Sequence, residues 1–180
     1  MKRLIAFFVV FACLLSSCGT ANKAPQKEKG WLQTTFFKNK FGDSYRSVKF
    51  RMGQHSHNLS DEKGVLTYVS LDFGGGKWDV IRLYFDDSDK FCKITFEKSF
   101  TTEIGASRWY SGVEEELKKK YGEARDLEDG IGYMDNADIM LALRKFQAES
   151  RGGELRWYCR LEYTDIQAVL KNSYKVNPDL

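Results

Sequence analysis

The spacing of apolar residues changes near residue 107, and this change most restricts the folds open to the chain. Before it, residues 65–73 alternate in a way that is typical of a half-buried strand. Segments 78–85 and 91–97 follow it across a Gly74-Gly75-Gly76 turn and a DDSDK turn, which predicts an antiparallel meander. The alternation places the side chains of five residues on the same face of the first strand: Val65, Thr67, Val69, Leu71 and Phe73.

After the change, residues 107–121 follow the helical period. Tyr110, Val113, Leu117 and Tyr121 fall on one stripe. Ser107 is suited to cap the N-terminus, and Gly122 stands where a helix C-cap belongs. This segment is the clearest helix in the chain.

The remaining elements are weaker. Segments 31–37 and 45–52 are strand candidates on either side of an FGD turn, and 138–146 with 154–163 predict a second hairpin. Thr164 and Gln167 have capping-box spacing for a short helix. The predicted order is strands, helix, strands, helix, which gives an α+β domain with an antiparallel meander sheet packed on one or two helices.

The first thirty residues have a different character. Lys2 and Arg3 precede an apolar run at 4–15, whose length fits a signal peptide better than a membrane span. The sequence Leu15-Ser16-Ser17-Cys18 that follows resembles the lipobox of bacterial lipoproteins. The resemblance implies that the signal is removed before Cys18 and that its thiol carries diacylglycerol; an ordinary secreted protein is the alternative.

This resemblance divides the chain into a signal peptide at 1–17, a lipidated cysteine with a flexible tether at 18–30, and one globular domain at 31–180. The tether is small and polar, with an expected reach of about 20 Å. Lipoproteins kept in the inner membrane often have Asp after the cysteine, whereas Gly19 stands here. Glu28 is the single acidic residue of the tether. We therefore expect an outer-membrane protein that faces the periplasm.

Charge argues against a nucleic-acid partner. Without Lys2 and Arg3 the chain has 26 basic and 25 acidic residues, a net charge of +1. The EEELKKK block at 114–120 predicts i,i+4 ion pairs on a solvated helix face. GGGK at 74–77 precedes a strand rather than a helix, so it is read as a hairpin turn and not a phosphate loop.

Candidate metal and catalytic groups are few. His55 and His57 stand in a polar loop near Asp61 and Glu62, which could begin a metal site. The acidic stretch 123–138 departs from EF-hand spacing and is better explained by turns, with an irregular calcium site left open. No nucleophile-elbow pattern is present. The sequence favours a binding or assembly module with no cofactor or metal, and a periplasmic hydrolase is the alternative.

The second hairpin supplies a candidate binding face. If Ile139, Leu141, Leu143, Leu155, Trp157, Cys159 and Leu161 face the core, the other face carries Met140, Arg144, Phe146, Arg156, Tyr158 and Arg160, and Arg82 and Tyr84 could join them. Tyr and Arg are enriched at interfaces, so an envelope protein, a peptide or a glycan would fit. A solvated face with cross-strand cation–π pairs is the alternative.

Two thiols belong to the globular domain. Cys92 and Cys159 both lie among apolar positions of predicted strands. An oxidising compartment allows a disulfide between them if their Cα atoms come within about 7 Å. Two buried free thiols are the other outcome.

Overall fold

The computed structural model describes residues 31–54, 60–62, 64–150 and 152–173. Within this part the chain forms ten strands and three helices. Their bounds are β1 Thr35–Phe36, β2 Asn39–Lys40, α1 Tyr45–Gly53, β3 Ser60–Glu62, β4 Val65–Phe73, β5 Gly76–Phe85, β6 Phe91–Phe100, α2 Glu103–Tyr121, β7 Arg125–Leu127, β8 Gly130–Met134, β9 Ile139–Glu149, β10 Leu155–Asp165 and α3 Ile166–Ser173.

Strands β3 to β10 form one antiparallel sheet in the order β3-β4-β5-β6-β10-β9-β8-β7. The predicted α+β class with an antiparallel meander is confirmed. The two halves have the same topology, because a helix followed by a four-stranded meander occurs twice, as α1 with β3–β6 and α2 with β7–β10. The last strands of the two meanders, β6 and β10, pair at the centre of the sheet.

Two faces of the sheet can be told apart by what their side chains touch. The Sγ atom of Cys159 donates to the carbonyl of Ala106 in α2, and Lys145 Nζ donates to Ser107 Oγ over 2.8 Å. The odd-numbered residues of β9 and β10 therefore face α2. The core row on this face runs through the register-paired residues Ile81, Phe96, Leu161, Leu143 and Ile131, all of them buried.

Helix α1 corrects the prediction of a strand at 45–52. Ser44 is its N-cap, with a side chain that accepts from the Ser47 amide, and Val48 and Met52 are buried one turn apart. This i,i+4 pair carries the helical period that the strand assignment missed. The prediction of a strand at 31–37 is also wrong, because β1 is limited to Thr35–Phe36.

Helix α2 is longer than predicted. It begins at Glu103, and Thr102, rather than Ser107, is the N-cap through an oxygen that accepts from the Gly105 amide. The expected C-cap is present, because Gly122 has φ +83° and its N–H donates to the Lys118 carbonyl. Leu117 and Tyr121 are buried, and Tyr110 and Val113 pack on the core as partly buried residues.

In the first half of β4, the side chains that face the core are the ones that the sequence pattern places on the other face. Leu66 and Tyr68 are buried in the core, whereas Val65 and Thr67 pair with Tyr84 and Arg82 on the other face. The polar Thr67 lies on the same side of the strand as Val65, so for this half of β4 the alternation predicts the wrong face.

Two details at the ends of β10 also differ from the prediction. Leu155 is 60% exposed instead of facing the core, since it stands at the tip of the β9–β10 hairpin. Thr164 is part of the strand, and the side chain of Asp165 accepts from the Ala168 amide at the start of α3. None of the helices in the described residues is long and apolar enough to cross a membrane.

Candidate functional site

The face of the sheet opposite to α2, here called the opposite face, carries the predicted Tyr and Arg residues. Cross-strand pairing places Arg160 between Glu97 and Arg144, and Tyr158 between Ser99 and Phe146. The side chains of Arg156, Arg82 and Tyr84 lie on this face as well. The sheet thus brings all six candidate residues to one face.

At the centre of the opposite face, Glu97 is shared by two arginines. Its carboxylate accepts from Arg160 at 2.7 Å and 3.1 Å and forms an ion pair with Arg82. The Glu97 side chain is 9% exposed, whereas those of Arg82 and Arg160 are 31% and 34% exposed. Burial alone would raise the pKa of Glu97, but the hydrogen bonds and charges of the two arginines hold it below its usual value.

Most cations of the opposite face already have partners. Arg144 pairs with Asp129, Arg156 lies 3.4 Å from Glu154, and Lys93 lies 2.9 Å from Glu162. Arg160 also stands over the ring of Phe146, which stacks on Tyr158. A ligand for this face would have to compete with these ion pairs, so the face is better suited to holding the strands together than to binding an anion.

The possible Cys92–Cys159 disulfide is not formed, because both thiols are free and buried. Cys159 is opposite Lys98 in the β6–β10 pairing, six residues along β6 from Cys92. Six strand residues span about 20 Å, far beyond the range of an S–S bond. Burial raises the pKa of each thiol to about 11.

The metal candidates divide into two groups. His55 and His57 lie outside the described residues. Asp135, in the acidic stretch, accepts from the amides of Leu32 and Ile139 and so closes a turn. In the part of the chain that the structure describes, no cluster of three His, Cys, Asp or Glu side chains could hold a metal ion.

A different site, which the sequence interpretation missed, lies between α2 and the β4–β5 hairpin. A groove of about 1150 Å³ opens there, and we call it the α2 groove. One wall is the flank of α2, the other is the hairpin, and the floor reaches the central strand β10. Aromatic and aliphatic side chains dominate the lining: Phe73, Trp78, Phe100, Trp109, Val113, Leu117, Tyr121, Leu161 and Tyr163.

The aromatic wall of the α2 groove is fixed by two contacts of Trp78. Its indole N–H donates to the Phe73 carbonyl over 3.0 Å, and its ring meets Trp109 edge-on at 4.7 Å between centroids. Gly74 and Gly75, with φ of +62° and +78°, form the tight turn between these hairpin strands. The apolar surface is therefore held in place by the hairpin.

The helix wall of the groove contains two glycines. Gly105 and Gly112 share a flank of α2 with Trp109. A Cβ atom at Gly112 would meet nothing within 4 Å, so packing does not require glycine there. Glycine inside a helix costs about 1 kcal/mol relative to alanine, and this one leaves the helix backbone open to the groove.

The rim of the α2 groove is cationic. Among the described residues it carries three cations, Arg108, Lys119 and Lys120, and one carboxylate, Glu116. Lys119 is within 3.0 Å of both Glu115 and Glu116, and Lys120 lies over the ring of Tyr121. Arg108 is exposed and makes no ion pair with another described side chain.

At the bottom of the groove, the pKa of Tyr163 is raised by burial and by the adjacent Tyr121 hydroxyl. Tyr163 therefore presents a neutral hydroxyl and an apolar ring at the floor of the groove. A sequence signal for this site did exist: an isolated glycine in the middle of a strongly helical segment, next to Trp109, usually has a packing or functional reason.

Comparison with known proteins adds no relative to this picture. No protein-family model matches the chain, and no curated protein or solved structure is significantly similar to it.

Proposed function

We propose that this chain is a lipid-anchored protein of the cell envelope whose domain acts as a non-catalytic binding module, with the α2 groove as its ligand site. The observation that carries the proposal is the groove itself, an apolar cavity of about 1150 Å³ at the surface that the described residues leave open. Ligand sites in proteins are concave and mostly apolar, with a few polar groups at defined places.

The anchor rests on the lipobox resemblance around Cys18. Acyl chains contribute about 0.8 kcal/mol for each methylene that enters the bilayer, so two or three chains would hold the mature protein on its membrane. The outer membrane, with the domain in the periplasm, is the location that Gly19 and the tether favour.

The groove is a better binding site than the opposite face, because their surfaces differ in what a ligand must displace. Each guanidinium of the opposite face that pairs with Glu97 would have to leave a buried carboxylate. Trp109 and Val113 are only partly buried and lose no partner on contact with an apolar ligand. A hydrolase in the groove is the weaker candidate, since the described residues of the lining include one carboxylate, Glu116, and no Ser, Cys or His.

The test fills the groove from inside. Gly112→Trp places a large side chain into the cavity, and Gly112→Ala is the matched control that adds one methyl group to open space. The mature protein is reconstituted in phosphatidylcholine vesicles and labelled with a twelve-carbon alcohol that carries a photoreactive diazirine. Mass spectrometry then locates the labelled peptides.

We expect saturable labelling of α2 and the β4–β5 hairpin in the parent and in Gly112→Ala, and a loss of at least tenfold in Gly112→Trp. Each additional buried methylene should tighten binding about fourfold until the groove is full. Gly112→Leu serves as a smaller plug if the Trp variant unfolds at lower urea. Equal labelling in the plugged and parent proteins would contradict the proposal, and labelling lost only in Arg156→Ser/Arg160→Ser would assign binding to the opposite face.

A further inference from the structure

We propose that the ligand of the α2 groove is a single-chain anionic amphiphile, with its tail along the groove and its head group against Arg108. This inference rests on the proposed function and specifies the chemistry of its ligand. Three features of the groove carry it: its apolar length, its charge and its position relative to the tether.

The length and lining fit an unbranched apolar tail. The helix wall extends from Gly105 to Tyr121, about 24 Å at 1.5 Å per residue. A peptide in extended form presents a polar amide at every residue and a sugar presents several hydroxyls, and each such group loses free energy when it is buried without a hydrogen-bond partner. The floor of the groove, with Leu117 and Leu161, offers them few. A hydrocarbon tail has no such groups.

The charge of the rim selects the head group. Three cations and one carboxylate of the described residues line the groove, and these four side chains together have a net charge of +2. Lys119 is engaged by two glutamates and Lys120 by an aromatic ring, which leaves Arg108 available. A guanidinium binds a carboxylate or a phosphate with two parallel hydrogen bonds, and this geometry favours Arg over Lys for such groups.

The position of the groove brings it near a source of amphiphiles. Gln33 is part of its lining, only three residues after the predicted tether ends at residue 30. A tether with a reach of about 20 Å would keep this part of the groove close to the membrane surface. Amphiphiles are concentrated at that surface.

The experiment compares variants for each of three probes with the same twelve-carbon photoreactive tail: an alcohol, a carboxylate and a phosphate monoester. Each probe is added to the vesicle-reconstituted mature protein at a pH well above the titration of the carboxylate. Comparing variants within one probe removes the different partitioning of the probes into lipid. Arg108→Gln is the test, and Arg125→Gln, an exposed arginine in the edge strand β7, is the matched control.

We expect Arg108→Gln to weaken labelling by the two anionic probes roughly two- to fivefold, as for an exposed ion pair, and to leave the alcohol unchanged. Raising the salt concentration should reduce the difference between parent and Arg108→Gln. An effect confined to the carboxylate or to the phosphate would identify which head group is recognised. Arg125→Gln should behave as the parent with all three probes.

The outcomes separate this inference from the proposed function. Gly112→Trp could abolish labelling while Arg108→Gln changes the labelling by the three probes to the same extent. In that case the groove binds apolar ligands, and the assignment of an anionic head group is wrong. If Gly112→Trp has no effect, both proposals fail. Tighter competition by an acidic apolar peptide than by the carboxylate probe would replace the amphiphile with a protein segment.

Discussion

Replacing the nearly buried Glu97 by Gln should destabilise the domain more than the loss of an exposed carboxylate. The substitution keeps the shape of the side chain and removes the negative charge that Arg82 and Arg160 share. Those two guanidiniums would then face each other on the central strands without a counter-ion. The backbone pairing of β6 with β10 itself would be unchanged.

The size of the effect follows from burial. Breaking a fully buried ion pair costs about 3–5 kcal/mol. Here the carboxylate is nearly buried, but the arginines are 31% and 34% exposed and can be hydrated after the change. We therefore expect a loss of about 1–3 kcal/mol in the free energy of unfolding. A loss of 2 kcal/mol would lower Tm by roughly 4–8 °C for a domain of this size.

The dependence on pH has a definite sign. Because the pKa of folded Glu97 lies below its ordinary value of 4.5, its contribution is complete above that value and is lost as the pH falls through the folded pKa. The parent and Glu97→Gln should therefore differ near neutral pH and converge in acid. Urea unfolding followed by tryptophan fluorescence at several pH values measures both quantities.

The control is Glu154→Gln, which removes an exposed carboxylate 3.4 Å from Arg156 and should cost less than about 1 kcal/mol. Equal losses in the two variants, or a difference that persists unchanged in acid, would refute the argument that Glu97 stabilises the sheet as a buried, shared anion.

Three further predictions concern positions away from this pair. Gly130→Ala should destabilise the domain by several kcal/mol or prevent folding, because a Cβ atom there would lie 2.0 Å from the Leu143 carbonyl oxygen; unfolding measurements decide this, and a stability within about 0.5 kcal/mol of the parent would contradict it. Thiol titration of denatured, unreduced protein should find Cys92 and Cys159 both reactive. The same thiols should react slowly in native protein, because burial raises the pKa of each. The absence of free thiols after denaturation would mean that an oxidised form exists. Cys18→Ala should give protein that is not acylated and is released from the membrane fraction or left uncleaved; a native N-terminus that begins after residue 18 and carries no lipid, seen by mass spectrometry, would leave only secretion.

The parts of the fold that could be predicted are those in which local pattern and tertiary contacts agree. The β4–β5 turn was predictable because two consecutive glycines supply the positive φ values that such a turn requires. The C-terminus of α2 was predictable from Gly122 for the same reason. In both cases the backbone conformation restricts the residue type directly.

The errors arose where tertiary packing decides between patterns of similar strength. Segment 45–52 mixes aromatic and basic residues that suit a strand, and only the burial of Val48 and Met52 beneath the sheet selects the helix. The reversed facing of β4 has a similar origin. Thr67 is buried on the opposite face beside Arg82, and a one-residue choice of phase inverts a whole strand.

The candidate site shows the same limit more clearly. Sequence alternation was enough to place Arg144, Arg156 and Arg160 on one face, because parity along a strand is local information. The ion pair of Arg160 with Glu97, 63 residues away in the chain, could not be predicted in this way. The α2 groove depends on which hairpin lies across the helix, and this is set by the order of the strands in the sheet.

The central pairing of β6 with β10 has a consequence for how copies of this protein meet. It joins residues 63 positions apart, such as Glu97 and Arg160, and closes two halves that are each a helix with a four-stranded meander. Before β6 and β10 pair, each half has an unpaired edge strand that can pair equally well with the matching strand of another copy. If the proposed lipid anchor holds copies in one membrane leaflet, their local concentration is high, and exchange of halves through the α2 connection would then compete with correct closure. Separately expressed halves should, by the same logic, recognise each other.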